Sequence, residues 1–337
     1  MDSQSRLPDP KSTRVTYRTW RDRSDWEAMA AVSGACTEVD GLTQAFSASS
    51  FEHYLALHRP DAPGALVTLA EVEGQAVGFA YAHFDKDRDG EVRSIWTRCR
   101  IVPSWRRMGI GAELLRRAHA TGHDDAALQP ATNLPLRFET RASEQEIGAI
   151  ALFEHEGYEP VRWLFEMVRP SLTDLPSEEL PAGIEVRRVE RADGVKILEA
   201  RGEATAGDEW YFPTFTPEAL AALVDDPIEG QLDVWQVAWD GSEVVGGVLG
   251  YIDEDENEAF HRLRGYTESI FTRRPWRGRG IATALIGRNL RVLRDRGMTE
   301  AALAVDAANR TGALRLYERC GFMRDRTEVT YARLAEA

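Results

Sequence analysis

Two stretches of this chain put arginine and glycine where a polyanion could sit. The run Arg277-Gly278-Arg279-Gly280-Ile281-Ala282 follows strand-like residues, and Ile281, Leu285, Ile286, Leu290 and Leu293 then recur at helical spacing. This spacing predicts a helix that begins near Gly280 and ends near Gly297, a glycine suited to a C-terminal cap. A loop entering a helix presents free backbone N–H groups and the positive end of the helix dipole, which suits phosphate. Glycines 278 and 280 carry no Cβ to keep an anion away. Far upstream, Arg106-Arg107-Met108-Gly109-Ile110-Gly111 has the same form. Neither common nucleotide loop fits the later stretch. The dinucleotide pattern GxGxxG fails at Thr283, Asp306 comes late for its ribose contact, and no GKS or GKT run is present. Taken alone, the loop can also be read as a glycine-softened helix start with two solvated arginines.

The elements that would hold these loops occur twice. At 337 residues the chain is long for one core, and a Pro-, Ser- and Glu-rich stretch at 171–183, SLTDLPSEELPAG, reads as a linker between domains 1–170 and 184–337. Each half opens with a strand-like run, VTYRTW or IEVRRV, followed by amphipathic helical sequence. A hairpin comes next, with turns expected at Glu73-Gly74 and Asp240-Gly241. Then come a strand, the loop and its helix, and a short strand, RFET or AALAVD. A last helix ends in Gly-aromatic, EGY or CGF, before a final strand. Two copies are too few for a solenoid and point to a duplicated α/β domain.

Downstream of the second loop the chain reads NRTGALRLYERCGF, Asn309 to Phe322. The order R-x-x-G-x-A, helix, strand, N-x7-Y-x3-G-F resembles the GNAT acetyltransferase superfamily. The likeness covers most of 184–335 in element order and about 265–325 in motif. The first half keeps R-x-x-G-x-G, so the whole chain looks like a tandem GNAT protein, an arrangement similar to that of mycothiol synthases. The implied fold is two GNAT-like domains, each a mixed, mostly antiparallel twisted sheet flanked by helices. The implied co-substrate is acetyl-CoA. Its pyrophosphate would lie on Arg277, Gly278, Arg279, Gly280, Ile281 and Ala282, its pantetheine arm along Ile270, Phe271 and Thr272, and its thiol end near Asn309. Arg106, Arg107, Gly109 and Gly111 form a candidate second site.

Acetyl transfer to an amine needs a group to take the amine proton and a group to protonate the leaving thiolate. The resemblance assigns these roles to Glu268, on the strand before the loop, and Tyr317. Each has a plainer alternative. Glu268 could be an exposed strand residue, Tyr317 a core aromatic, and Asn309 a helix cap. Laid on the second half, the first half puts Thr97, Gln145 and Phe153 where Glu268, Asn309 and Tyr317 stand. A phenyl ring cannot give a proton, so the first half is expected to be catalytically silent.

Charge and cysteines narrow the class. A formal charge of −14 argues against nucleic acid as a partner. No apolar run approaches the roughly 20 residues of a membrane span, and the polar start lacks a secretory pattern. Three scattered cysteines, Cys36, Cys99 and Cys320, suggest neither disulfides nor a zinc site, and a cytoplasmic setting is expected. The aromatic and acidic run GDEWYFPTF, 207–215, could enclose a small amine through Trp210 or Tyr211, or it could simply plug the core. The run DEDENE, 253–258, reads as a solvated turn between strands. The leading expectation is therefore an N-acetyltransferase acting on a small amine in the second half. The alternatives are a non-catalytic acyl-CoA-binding or sensing protein, a mycothiol-synthase-like enzyme, or an N-acetyltransferase acting on proteins.

Overall fold

Alternation of apolar and polar residues around short glycine turns builds hairpins, and helices close over them, twice along the chain. The computed structural model describes residues 14–42, 46–88, 91–206, 217–309 and 312–335. It divides into two compact units, Met1–Val161 with Val329–Ala337, and Arg162–Glu328. Both are mixed α/β, with largely antiparallel sheets flanked by helices.

The first unit runs β1 (Thr16–Thr19), α1 (Ser24–Asp40), α2 (Ala48–His58), β2 (Val67–Val72), β3 (Gln75–Arg88), β4 (Val92–Ile101), α3 (Ile110–Ala127), β5 (Leu136–Ser143) and α4 (Ile147–His155). Strands β1 to β4 pair antiparallel in sequence order, and β5 joins β4 in parallel. The β2–β3 turn is Glu73-Gly74, both at positive φ, as the hairpin signal predicts. Ile95, Trp105, Leu114, Phe138 and Phe153 fill the core.

The division falls inside β6 (Glu159–Arg169). The second unit continues with β7 (Ile184–Val186), α5 (Arg191–Thr205), α6 (Pro217–Val224), β8 (Gln236–Asp240), β9 (Glu243–Val248) and α7 (Glu254–Ala259). Then follow β10 (Arg264–Tyr266), β11 (Phe271–Thr272), α8 (Ile281–Asp295), β12 (Glu300–Asp306) and α9 (Ala313–Arg319), and then β13 (Met323–Leu334), which is divided too, its residues from Val329 onward belonging to the first unit. Here β7, β8, β9 and β11 pair antiparallel in that order, while β12 lies antiparallel to β6 and parallel to β10. Leu285, Leu290, Val305 and Phe322 are among the buried residues between α8, α9 and the strands.

Three local expectations change. Asp240 pairs with Glu243, so the second hairpin turn is Gly241-Ser242, one residue later than expected. Asp240 stays in the strand and accepts a hydrogen bond from Trp276 Nε1 at 3.0 Å. The DEDENE run forms α7 rather than a turn. Asp253 accepts the backbone N–H of Glu256 at 2.9 Å, and acids in a first turn suit the helix dipole. Finally, the linker-like stretch 171–183 lies inside the second unit and packs on α8. Leu172 is buried, Leu175 and Leu180 rest on the core, and Glu178 pairs with Arg291. Its composition reports the absence of regular secondary structure, not the absence of packing.

Candidate active site

The site grows from an interruption in one strand. Up to Tyr266 the chain pairs with β12, and Thr267 N–H still donates to Ala302 O at 2.8 Å. It then leaves for β9, where Leu249 N–H donates to Glu268 O at 2.9 Å, and β11 pairs antiparallel with Gly246 and Gly247. Ser269 takes φ +48°, an uncommon conformation for a residue with a Cβ. Thr267 anchors the turn-off point, its buried hydroxyl donating to Asn289 Oδ1 on α8 at 2.9 Å.

The departure leaves Ala304 N–H on β12 without a strand partner, and Glu268 Oε1 accepts it at 2.8 Å. The Glu268 carboxyl lines a hollow, and burial pushes its pKa up to about 8. The bond from Ala304 opposes that rise, and the charges of Glu229 and Glu166 add to it. Tyr317, on α9, is buried and packs edge-on against Phe322. Its hydroxyl is held above its ordinary range, first by burial and then by the charge of Glu268.

Glu268 and Tyr317 line one cavity of about 510 Å³, and residues of the Arg277–Ala282 loop line it too. Of the residues the sequence singles out here, Ile270, Phe271, Thr272, Arg277, Gly278 and Gly280 line this cavity. Ile281, Ala282 and Asn309 line it as well. Arg279 does not; it borders an adjoining hollow beside Ser177 and Leu180. Helix α8 begins at Ile281 with Gly280 as its N-cap residue at φ +83°, and Gly280, Ile281, Ala282 and Thr283 of its start line the cavity, where the first N–H groups have no partner within the helix. Arg277 shapes the loop: Nε donates to Thr272 O at 2.9 Å and Nη2 to Ala204 O at 2.7 Å. The N-cap residue of α9 is Gly312, three residues beyond Asn309.

The first-unit loop keeps this backbone form. Gly109 is an N-cap residue at φ +80°, and Arg106 Nε donates to Ile101 O at 3.1 Å. Its guanidinium also makes two 2.7 Å bonds to the Asp40 carboxylate, which hold Arg106 above its ordinary pKa. Arg107 sits at φ +66°, and a Cβ on Gly111 would come within 2.7 Å of the Leu152 side chain. Thr97 is fully buried, its hydroxyl donating to Glu139 O at 3.0 Å, and Phe153 packs against Tyr158 and Tyr331.

The whole chain has known counterparts. The acetyltransferase (GNAT) family pattern matches residues 204–322, and an acetyltransferase (GNAT) domain pattern matches residues 63–160. The mycothiol acetyltransferase of Thermomonospora curvata is 32% identical over 304 residues, covering 89% of this chain and 91% of the relative. The chain belongs to the GNAT acetyltransferase family. A GCN5-related N-acetyltransferase from Sphaerobacter thermophilus, 28% identical, matches 98% of this chain and 97% of its own with a TM-score of 0.74. A tandem GNAT protein of the clavulanic acid biosynthesis pathway shares the fold at 15% identity and a TM-score of 0.67, over 96% of this chain and 99% of its own. As a tandem GNAT enzyme, the chain takes acetyl-CoA as its acyl donor.

Sequence reading overlooks part of this GNAT cavity. Arg201 of α5 is buried in its wall and donates to Ser269 Oγ at 3.0 Å, and burial lowers its pKa. Its signal was an arginine in line with Ile197, Leu198 and Ala204, on the apolar stripe of α5. Ser269, Thr283 and Arg319 also line the cavity and carry no comparable sequence signal. The acceptor run 207–215, with Trp210 and Tyr211, lies outside the described residues. Among the described residues no helix is long and apolar enough to cross a membrane.

Proposed function

We propose that the second unit carries the chemistry and acetylates the nitrogen of a small amine by direct transfer from acetyl-CoA. The observation that supports this most strongly is that Glu268 and Tyr317 share a cavity whose lining also includes a helix N-terminus. In this reading the N–H groups of Gly278 to Ala282 hold the pyrophosphate, and the backbone of Ile270 to Thr272 lines the path of the pantetheine arm. The Glu268 carboxylate takes one proton from the acceptor ammonium, and the freed nitrogen lone pair attacks the thioester carbonyl carbon. As the N–C bond forms and the C–S bond breaks, the Tyr317 hydroxyl gives its proton to the departing sulfur, and the phenolate recovers one from the acylated nitrogen, which leaves the neutral amide. Asn309 sits near the thiol end. The first unit supports folding and is silent in catalysis. The charge, the scattered thiols and the soluble class of composition favour a cytoplasmic setting, with neither nucleic acid nor membrane as partner.

A second reading narrows the acceptor. Likeness to mycothiol acetyltransferases runs over most of the chain, which favours the amine those relatives acetylate. A panel of small amines that includes this one, scored by acetyl-CoA-dependent thiol release, tests both readings. Turnover of several unrelated amines supports the broad reading, and strong preference for the mycothiol precursor supports the narrow one. Saturable acetyl-CoA binding with no turnover of any amine would leave the acyl-CoA-sensing alternative standing.

A further inference from the structure

The last turn of α5 is fastened along the strand that carries Glu268 and the loop that follows it. Arg201 donates to Ser269 Oγ at 3.0 Å, Arg273 to Glu203 Oε2 at 2.8 Å, Arg274 to Ala206 O at 3.3 Å and Arg277 to Ala204 O at 2.7 Å. Arg201 differs from the other three. It reaches the opposite way, from the helix to the strand, and it is buried, with 6% of its surface exposed. It stands in line with Ile197, Leu198 and Ala204, where a guanidinium costs solvation and an apolar side chain of similar length would pack as well.

The partner of Arg201 is the residue on which the strand break turns. Ser269 holds φ +48°, a conformation that is unfavourable for a residue with a Cβ and persists only where its surroundings impose it. Before it, Glu268 O accepts Leu249 N–H, in step with the bridge between Tyr251 and Tyr266. After it, the chain enters β11 at Phe271. With Ala304 N–H, Ser269 N–H is a backbone donor that acts on the Glu268 carboxyl and favours its charged form. The backbone of one serine thus governs both where the strand leaves β12 and where the carboxyl rests.

We propose that Arg201 is a positioning residue for acetyl transfer, holding Ser269 at positive φ and through it keeping the Glu268 carboxyl on Ala304 N–H, in the cavity shared with Tyr317. Arg201 need not touch the acceptor or the thioester. Its hydrogen bond fixes the hydroxyl, the hydroxyl fixes the turn, and the turn fixes the base. The inference rests on the reading of Glu268 as the proton acceptor of the second unit. Because Arg277 ties the loop to the same turn of α5, one helix end sets both the base and the loop.

Steady-state kinetics of the full chain, with acetyl-CoA and the panel amine of highest kcat/KM, test this. Arg201→Met fills the space of the aliphatic stem and removes the guanidinium. It should lower kcat by about tenfold and leave CoA affinity, measured by calorimetry, within about twofold. Ser269→Ala should do the same, and this half-buried position keeps the test open if Arg201→Met fails to fold. The double variant should be no worse than the larger single one. Losses that multiply would show Arg201 acting on a substrate directly and overturn the proposal. Ser269→Gly adopts positive φ unaided, so it should stay within about threefold of the native kcat.

The rising limb of kcat/KM should move to higher pH in Arg201→Met and in Ser269→Ala, because a carboxyl that loses a donor to its charged form holds its proton longer. Glu229, Glu166, Tyr251 and Tyr317, the titratable groups acting with that carboxyl, stay in place in both. A merely structural arginine would not move the limb. Residue-resolved amide exchange reads the same geometry without an acceptor. In Arg201→Met, Ala304 N–H should exchange about tenfold faster, while Thr267 N–H, bonded to Ala302 O, keeps its native rate. Equal acceleration of both amides marks general loosening and overturns the proposal. Native kinetics and native Ala304 exchange in Arg201→Met, with Glu268→Gln inactive, overturn it alone. Native turnover in Glu268→Gln, or no turnover of any amine, overturns the underlying reading as well.

Discussion

The two arginine–glycine loops share a backbone and differ in what stands around them. Gly109 and Gly280 take the same left-handed cap conformation, and Arg106 and Arg277 each tie Nε to the carbonyl five residues earlier, Ile101 or Thr272. The second anchor of Arg277 is a neutral carbonyl, Ala204 O, whereas that of Arg106 is the Asp40 carboxylate. A carboxylate beside an anion cradle neutralises the arginine and opposes a phosphate. The strands differ more. Strand β4 runs unbroken from Val92 to Ile101, and Thr97 stitches it to β5 through Glu139 O. The second-unit strand breaks between Tyr266 and Phe271, and Glu268 takes the N–H that the break exposes. A short loop motif thus survives in both halves, while the open strand and the protic pair belong to one. The loop alone is weak evidence of a site.

The largest effect that would test this contrast is expected at Glu268. Glu268→Gln should lower kcat by about 10²–10³-fold at pH 8, with CoA affinity little changed, because it removes the proton acceptor and keeps the shape. The pH profile sharpens the assignment. A carboxyl with pKa about 8 is mostly protonated at pH 7 and must lose its proton to work as a base. So kcat/KM should climb between pH 7 and 9 in the native enzyme, and Glu268→Gln should lose that limb. Stability moves oppositely. The folded carboxyl holds its proton more tightly than the unfolded one, so native stability falls as pH rises from the ordinary carboxylate range through about 8. A melting temperature for Glu268→Gln that declines as steeply as the native one would remove Glu268 as the source.

Tyr317→Phe makes the second unit resemble the first, where Phe153 occupies the matching position. It should cost at least about tenfold in kcat and leave CoA affinity within about twofold, since only an acid is lost. Unchanged turnover from pH 6 to 9 would return Tyr317 to the role of a core aromatic, a role its burial against Phe322 also fits.

What was legible in the sequence was local. The loop, its glycine cap and helix α8 follow from residues within one turn of each other, and the first hairpin turn follows from Glu73-Gly74 alone. The strand break was illegible because TESIFT reads as continuous strand. Its interruption comes from a change of partner, β12 to β9, that no residue in the run announces, Ser269 least of all with its positive φ. Helix α7 could have been read, since Asp253 precedes three acids of a first turn, yet a run of like charge also fits a turn. Arg201 was missed because its partner, Ser269, lies 68 residues away.

The smallest effect concerns the first loop, and it separates a structural arginine from a ligand-binding one. Arg106→Ala should leave kcat and KM for acetyl-CoA within about twofold. It should also lower the melting temperature by about 2–4 °C, because Asp40 loses a partly buried partner worth about 1 kcal/mol. A titration should find one coenzyme per chain in both proteins, abolished by changes at the second loop and indifferent to Arg106→Ala. Two coenzymes per native chain, falling to one in Arg106→Ala, would show that the Asp40 pair opens to admit a phosphate. The contrast between the two loops would then be one of chemistry only, with binding common to both.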